Sequence, residues 1–145
     1  MRKLLWLVAL AAVAVAALGY VLRTSPPWYE RICYPLQYTE YIRVHAREHK
    51  LDPALMAAVI YQESKFRPAV ESSSGAIGLM QLTPSTARGI AIRTGGNAFK
   101  TSDLYNPEIN IRYGSWYLDN LFRKYGSERL VLAGYNAGQG NVDRW

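Results

Sequence analysis

The chain has 145 residues, half of them hydrophobic, with four Trp, eleven Tyr and a net charge of +6. This composition excludes an intrinsically disordered chain, because such chains are poor in aromatic and branched apolar residues. Three of the 17 basic residues flank the apolar N-terminus, which leaves 14 against 11 acidic residues for the remainder. A net charge of about +3 is too small to indicate a nucleic-acid partner, and it suits an anionic polymer or a lipid surface. The sequence does not identify a protein partner.

The N-terminus carries a membrane-targeting segment. Met1-Arg2-Lys3 is positive, and 19 uncharged residues follow from Leu4 to Leu22. As a helix this run is roughly 28 Å long, close to the hydrocarbon thickness of a bilayer. We interpret residues 1–23 as an uncleaved, single-pass anchor in the cytoplasmic membrane, with the rest of the chain on the outer, periplasmic or cell-wall side. The small residues Ala14-Val15-Ala16 keep a cleaved signal peptide open as the alternative.

Residues 24–35 are interpreted as a short linker, because prolines interrupt them. The linker contains Cys33, the only cysteine, so an internal disulfide is impossible and we expect an unpaired thiol. Residues 36–145 are long enough for one domain with its own core.

The domain begins with two predicted helices. Helical spacing predicts the first from about Leu36 to His49. Its expected buried face carries Tyr38, Tyr41, Ile42 and His45. Asp52-Pro53 is a cap followed by proline at the first helical position. The apolar run after it predicts a helix that is buried on most sides and ends near Ser64.

Three more helix starts follow. Thr83-Pro84 and Asn106-Pro107 repeat the cap-then-proline pattern, and glycines after about Ile92 and at Gly126 end these helices. Ser127 is expected to cap a last helix that runs into Tyr135-Asn136. The expected buried face of the helix after Asn106 carries Ile109, Tyr113, Trp116, Tyr117 and Leu121. No segment alternates convincingly between apolar and polar residues, so we predict a mostly α-helical fold with few or no strands.

Glu63 is the first candidate functional residue. It lies at the end of an apolar helix, and burial against apolar groups raises the pKa of a carboxyl because it disfavours the ion. A carboxyl that is still protonated near neutral pH can donate a proton to a glycosidic oxygen. The alternative interpretation is an ordinary exposed glutamate at a helix end.

Two further segments carry candidate site residues. Ser72 to Gly78 is a small, flexible loop whose glycines would let the backbone approach a ligand. Met80 and Gln81 follow it and offer a soft apolar contact and an amide for sugar hydroxyls. Tyr135-Asn136 lies between small residues at a helix end, which suits a saccharide contact or a contact that positions the acid. A tight turn with a buried Met, and a core tyrosine, are the alternatives.

Short motifs follow one another along residues 36–145 in an order that is typical of one enzyme family. They are Glu63-Ser64-Lys65-Phe66-Arg67-Pro68, Ser72, Gly75-Ala76-Ile77-Gly78-Leu79-Met80-Gln81-Leu82-Thr83-Pro84-Ser85-Thr86-Ala87, Asn110-Ile111, Tyr117-Leu118 and Tyr135-Asn136-Ala137-Gly138. In this order they resemble the catalytic domain of soluble-lytic-transglycosylase-type (SLT) enzymes. Members of that family usually continue with a Glu-Thr-x-x-Tyr helix, so residues 36–145 either are a fragment of the domain or leave the C-terminal wall of the groove open.

The resemblance implies a lysozyme-like, mostly helical fold and an enzyme that cleaves peptidoglycan strands without a cofactor or metal. In that family the glutamate that matches Glu63 is the single catalytic acid and base. It protonates the bond between N-acetylmuramic acid and N-acetylglucosamine, and then accepts the proton of the muramic 6-hydroxyl as a 1,6-anhydro ring closes. The positions that line the substrate groove or hold the acid match Ser72, Met80, Gln81, Tyr135 and Asn136.

The distribution of carboxylates agrees with this mechanism. A glycoside hydrolase of the usual kind needs a second carboxylate about 5–9.5 Å from the first. Glu71 falls in the serine-rich turn, and Glu108 and Asp119 fall on a helix whose predicted buried face is elsewhere. A lysozyme-like hydrolase on the same fold and a non-catalytic glycan-binding module remain the alternatives.

Overall fold

The structure is a computed structural model, and it describes residues 2–26, 28–29, 35–96 and 98–145. Cys33 and part of the predicted linker lie outside the described residues. The chain divides into two compact units, Met1–Leu36 and Gln37–Trp145.

The first unit consists mainly of one helix, α1, which runs from Arg2 to Thr24. None of its residues is buried within the structure, and its most apolar stretch has a mean hydropathy of 2.4. By length and composition it is a candidate membrane span, a property that signal sequences share. The predicted apolar N-terminal helix is therefore present.

The second unit is built from helices. They are α2 (Thr39–His49), α3 (Pro53–Ser64), α4 (Pro84–Thr94), a 3-10 helix (Thr101–Tyr105), α5 (Pro107–Tyr125), α6 (Glu128–Ala137) and α7 (Gln139–Val142). In the part of the chain that the structure describes, β structure is limited to isolated bridges that join Ile77 to Glu71 and to Leu82. The mostly α-helical prediction is confirmed, whereas the 3-10 helix and α7 were not predicted.

Local capping fixes where most of the helices begin. Asp52, Thr83 and Asn106 each accept a hydrogen bond from a backbone N–H group two or three residues further on. Such side-chain bonds satisfy donors that the first turn of a helix leaves unpaired. Ser127 precedes α6 as predicted, but its side chain makes no capping hydrogen bond.

Helix α2 differs from its prediction at its start and on its face. It begins at Thr39 rather than near Leu36, because Tyr38 adopts a left-handed backbone conformation with φ of 55°. Ile42, His45 and Ala46 are buried, but Tyr41 is 38% exposed. The predicted burial of Tyr41 was therefore wrong.

Helix α5 is the central element of the second unit. It contacts α2, α4, α6 and the 3-10 helix. Its residues Ile111, Leu118 and Leu121 belong to one buried cluster, and Tyr113 belongs to a second cluster formed with α4 and the 3-10 helix. Because α5 packs on several sides, its buried positions extend beyond a single stripe.

The predicted buried face of α5 was therefore only partly right. Ile109, Trp116 and Tyr117 are half-buried rather than buried, and Trp116 and Tyr117 line a surface groove. A similar correction applies to α3, where Ala54 and Ala58 are exposed. The apolar sequence of α3 reflects a core on one side and a surface pocket on the other.

Candidate active site

Glu63 lies in the last turn of α3, at one side of a pocket of about 270 Å³. Helix α3 gives this pocket an apolar wall, to which Leu55 and Val59 belong, and α6 contributes Leu132 and Tyr135. Helix α3 ends here because Lys65 adopts a left-handed conformation. The carboxyl group is thereby placed beside an open cavity with mostly hydrocarbon walls.

The environment of Glu63 favours its protonated form. Glu63 is half-buried, and burial raises the pKa of its carboxyl above the ordinary value of 4.5. This is the direction that the sequence predicts, since an apolar wall stabilises the neutral acid over the ion. In the described chain, no hydrogen bond or ion pair to a cationic side chain opposes the shift.

Tyr135 connects the Glu63 pocket to the loop that precedes α4. Its hydroxyl donates a hydrogen bond to the Met80 carbonyl oxygen at 2.7 Å, and its ring packs against Tyr117 with centroids 5.5 Å apart. Burial, the charge of Glu63 and the neighbouring Tyr117 raise the pKa of the Tyr135 hydroxyl well above its usual range. The phenol therefore stays protonated and serves as a donor.

The loop that contains Met80 is fixed by Asn110, a fully buried residue on α5. The Asn110 side chain accepts a hydrogen bond from the Met80 N–H at 2.7 Å. It also donates to the carbonyl oxygens of Ile77 and Leu104, at 2.9 and 2.8 Å. One amide thus joins the loop, the 3-10 helix and α5. The sequence does not predict this role, although Asn110 belongs to one of the motifs shared with the SLT family.

Met80 itself is fully buried. Its side chain packs so closely on Gly114 of α5 that a Cβ atom at position 114 would collide with the Met80 thioether. The sequence suggested a soft apolar contact for a ligand or, alternatively, a buried Met. In this structure the Met80 side chain is part of the core, and its backbone carbonyl is the group that reaches Tyr135.

Gln81 and Ser72 bond to their own loop. The Gln81 side-chain NH₂ donates to the carbonyl oxygens of Val70 and Gly78, at 3.1 and 2.9 Å. The Ser72 hydroxyl accepts a hydrogen bond from the Ala76 N–H at 3.0 Å. The sequence predicts a flexible loop here, but internal hydrogen bonds hold it at several points.

Of the six predicted site residues, the pocket brings together Glu63, Tyr135 and Asn136. Met80 is joined to them through the Tyr135 hydrogen bond. Ser72 and Gln81 do not line this pocket, and their side chains form hydrogen bonds within the loop that contains them.

The other carboxylates named by the sequence have contacts elsewhere. Glu71 is exposed and accepts a hydrogen bond from the Tyr105 hydroxyl at 2.9 Å. Asp119 pairs with His49 and Arg123. Among the described residues that line the Glu63 pocket, no second carboxylate occurs. No group of three His, Cys, Asp or Glu side chains is placed to hold a metal ion in the described ranges.

Comparison with known proteins identifies the family to which this domain belongs. Residues 40–145 match the sequence profile of the family described as Transglycosylase SLT domain. The chain belongs to the SLT transglycosylase family. The predicted family and the predicted lysozyme-like SLT fold are confirmed.

The SLT domain of this chain is similar to both soluble and membrane-bound relatives. It is 32% identical over 114 residues to the soluble lytic murein transglycosylase of Escherichia coli K12, covering 77% of this chain and 18% of that relative. It is 37% identical over 123 residues to the endo-type membrane-bound lytic murein transglycosylase A of Klebsiella pneumoniae strain 342, covering 82% of this chain and 61% of the relative. The chain thus spans less than a fifth of the soluble relative's length.

A solved structure agrees with the fold of the SLT domain. An inactive mutant of the lytic transglycosylase Slt from Pseudomonas aeruginosa is 32% identical and superimposes with a TM-score of 0.75. The match covers 86% of this chain and 20% of that one. The arrangement of helices around Glu63 is therefore an SLT arrangement.

Proposed function

We propose that this chain is a lytic transglycosylase that cleaves peptidoglycan strands, with Glu63 as its single catalytic acid and base. The observation that carries the proposal is the position of Glu63 in an SLT domain, half-buried beside an open pocket, with its pKa raised by burial. A glutamate-to-glutamine mutant of the Pseudomonas relative is inactive, which supports a glutamate as the essential group in that enzyme.

The proposed reaction breaks the bond between N-acetylmuramic acid and N-acetylglucosamine. The Glu63 carboxyl gives its proton to the glycosidic oxygen, and the bond between that oxygen and the muramic C1 breaks. The muramic 6-hydroxyl oxygen then bonds to C1, and its proton passes to the Glu63 carboxylate. The acid is regenerated, and the products are a free 4-hydroxyl and a 1,6-anhydromuramic end.

The lack of a second carboxylate among the pocket residues favours this route over hydrolysis by a carboxylate pair. Glu71, the strongest alternative partner, bonds to Tyr105 and does not line the pocket. We further propose that Tyr135 and Asn136 contact the substrate or position the acid, and that Ser72, Met80 and Gln81 shape the adjoining loop.

The test compares Glu63→Gln with Glu71→Gln, since both changes replace a carboxylate by a nearly isosteric amide. Removing the proton donor should lower cleavage of purified sacculi about a hundred- to ten-thousand-fold, whereas Glu71→Gln should keep most of the activity. Both variants should fold and bind strands. A Glu63→Gln variant with half of the wild-type activity would end the assignment, and binding without any wild-type cleavage would favour a glycan-binding module.

Product analysis separates the transglycosylase from the hydrolase. Mass spectrometry of the released muropeptides should find anhydro ends, which lack one water relative to reducing ends. In H₂¹⁸O the cleaved anomeric carbon should acquire no ¹⁸O. Incorporation of the label there would contradict the proposed mechanism and favour a lysozyme-like hydrolase.

A further inference from the structure

A second groove, of about 470 Å³, adjoins the pocket of Glu63. Tyr117 lines this groove, and its ring contacts Tyr135, which lines the Glu63 pocket. The chain also passes from Asn136 in that pocket to Gln139 in the second groove. The two cavities are therefore neighbours, separated by the tyrosine pair and the end of α6.

The second groove, named here the Trp116 groove, has the chemistry of a saccharide site. Its polar and aromatic lining includes Ser85, Thr86, Arg93, Trp116, Asn120 and Gln139. Trp116 is half-buried, so part of its indole remains at the surface, where an aromatic face can pack on the C–H face of a sugar ring. The amides of Asn120 and Gln139 offer donors and acceptors for hydroxyl and acetamido groups.

Arg93 adds a positive charge to this groove. It is exposed, and its Nη1 donates to the Gly89 carbonyl at 3.1 Å. Within the described ranges, no carboxylate pairs with its guanidinium. A ligand that matches the groove should therefore carry a carboxylate close to an amino-sugar ring.

We propose that the Trp116 groove binds a peptide-substituted amino-sugar unit of the glycan strand, with the sugar on Trp116 and a carboxylate of the peptide beside Arg93. This inference rests on the proposed function, because it takes the strand as the ligand. Two properties are added to that function. The protein contacts the strand beyond the Glu63 pocket, and it prefers strands that keep their peptides.

Binding is measured with the full chain in detergent micelles, in the Glu63→Gln background so that the strand is not cut. Two pools of soluble peptidoglycan oligosaccharides are titrated by calorimetry. One keeps its peptides. The other is stripped by an amidase, and the lactyl carboxylates that the amidase frees are then capped as methylamides, so that this pool carries no carboxylate beside its sugar rings. Arg93→Gln should weaken binding of the peptide-bearing pool about threefold at low salt and less at high salt, with no change for the stripped pool. Trp116→Ala should weaken binding of both pools, about tenfold.

Arg88→Gln is the matched control, because Arg88 is exposed on the same helix and does not line the groove. Its binding of both pools should be unchanged. Trp116→Phe keeps an aromatic face and should recover most of the affinity, and Asn120→Ala provides a second groove variant if Trp116→Ala fails to fold.

Equal effects of Arg93→Gln on the two pools, or no effect on the peptide-bearing pool, would overturn the assignment of the peptide carboxylate. Folded Trp116→Ala and Asn120→Ala variants with unchanged affinity would overturn the groove itself. Failure of the proposed function would be seen separately, as wild-type protein that binds strands but does not cut them.

Discussion

Glu63 combines two properties that a catalytic acid needs at the scale of a single residue. It is half-buried, which raises the pKa of its carboxyl, and it borders an open pocket, which gives a ligand access to it. The same burial links the protonation of Glu63 to the stability of the fold, because the folded protein binds this proton more tightly than the unfolded chain does.

We expect Glu63→Gln to change how stability depends on pH. In the wild type, the stabilising contribution of the protonated carboxyl is complete below about pH 4.5, the ordinary value, and is lost as the pH rises through the raised folded pKa. Glutamine does not ionise. The free energy of unfolding of the variant, taken relative to that of the wild type, should therefore increase as the pH rises from 4.5 to neutrality. Urea unfolding at a series of pH values measures this difference, and a difference that stays constant would contradict the raised pKa.

Tyr135→Phe tests the hydrogen bond that joins α6 to the loop before α4. The change leaves the buried Met80 carbonyl without the donor that now lies 2.7 Å away. We expect the free energy of unfolding to fall by about 1–2 kcal/mol, together with slower cleavage. Tyr41→Phe removes a hydroxyl from an exposed residue of α2 and is the control. Equal unfolding curves for the two variants would mean that the Tyr135 hydroxyl does not hold the loop.

At the scale of elements, the stretch from Val70 to Leu82 has no regular secondary structure of its own and takes its shape from α5 and from hydrogen bonds within the stretch. Gly78 has φ of 82° and Gly75 has φ of 76°, so both occupy the left-handed region. They differ in their surroundings. A Cβ atom on Gly78 would collide with the Asn110 amide and the Leu104 carbonyl, whereas one on Gly75 would meet nothing within 4 Å.

This contrast predicts a ranking of two alanine substitutions. Gly75→Ala should cost about 1–2 kcal/mol, the strain of a left-handed non-glycine residue. Gly78→Ala adds an overlap with the Asn110 contacts, so we expect a loss of at least about 3 kcal/mol. Chemical denaturation of both variants measures the two costs. Similar costs would indicate that the loop moves away from α5 without penalty.

The elements that the sequence predicted well are those whose signals are local. Asp52, Thr83 and Asn106 cap the helices that follow them, and Gly95 and Gly126 end helices in left-handed conformations. The periodicity of α5 was less informative, since a helix that contacts four others buries several faces. Helix periodicity alone does not distinguish a residue that faces the core from one that lines a groove.

Prediction of the candidate site had a similar limit. Glu63 was accessible to sequence reasoning because its apolar helix implies its environment. The contacts of the loop could not be predicted, because the side chains of Gln81 and Ser72 suit a sugar as well as they suit a neighbouring backbone group. Only the folded chain shows that these groups bond to Val70, Gly78 and Ala76. Two of the three bonds of Asn110, those to Met80 and Ile77, likewise depend on residues that are distant in sequence.

At the scale of the whole molecule, the chain consists of an exposed apolar helix and a separate helical domain. We propose that α1 anchors the protein in the cytoplasmic membrane with the domain on the outer side. The membrane-bound relatives support this proposal, as do the length and hydropathy of α1.

We expect the protein to stay in the membrane fraction after washes with high salt and with alkaline carbonate, and to be released by detergent, because about 20 apolar residues suffice to span a bilayer. A variant that lacks residues 1–24 should be soluble and should keep the circular-dichroism spectrum of a helical domain. N-terminal sequencing of the mature protein is the deciding measurement. A soluble form that begins near Ala17 would identify the segment as a cleaved signal peptide.

The central position of α5 has a consequence for how the domain opens. Both buried clusters include side chains of α5, and the Trp116 groove and the Asn110 contacts also depend on this helix. Neither cluster can come apart without exposing part of α5, so small local fluctuations should seldom release its backbone amides. In native-state hydrogen exchange, the amides around Gly114 and Leu118 should therefore be among the slowest and should exchange through unfolding of the whole domain. The helices that surround the Glu63 pocket and the Trp116 groove would then unfold as one cooperative unit.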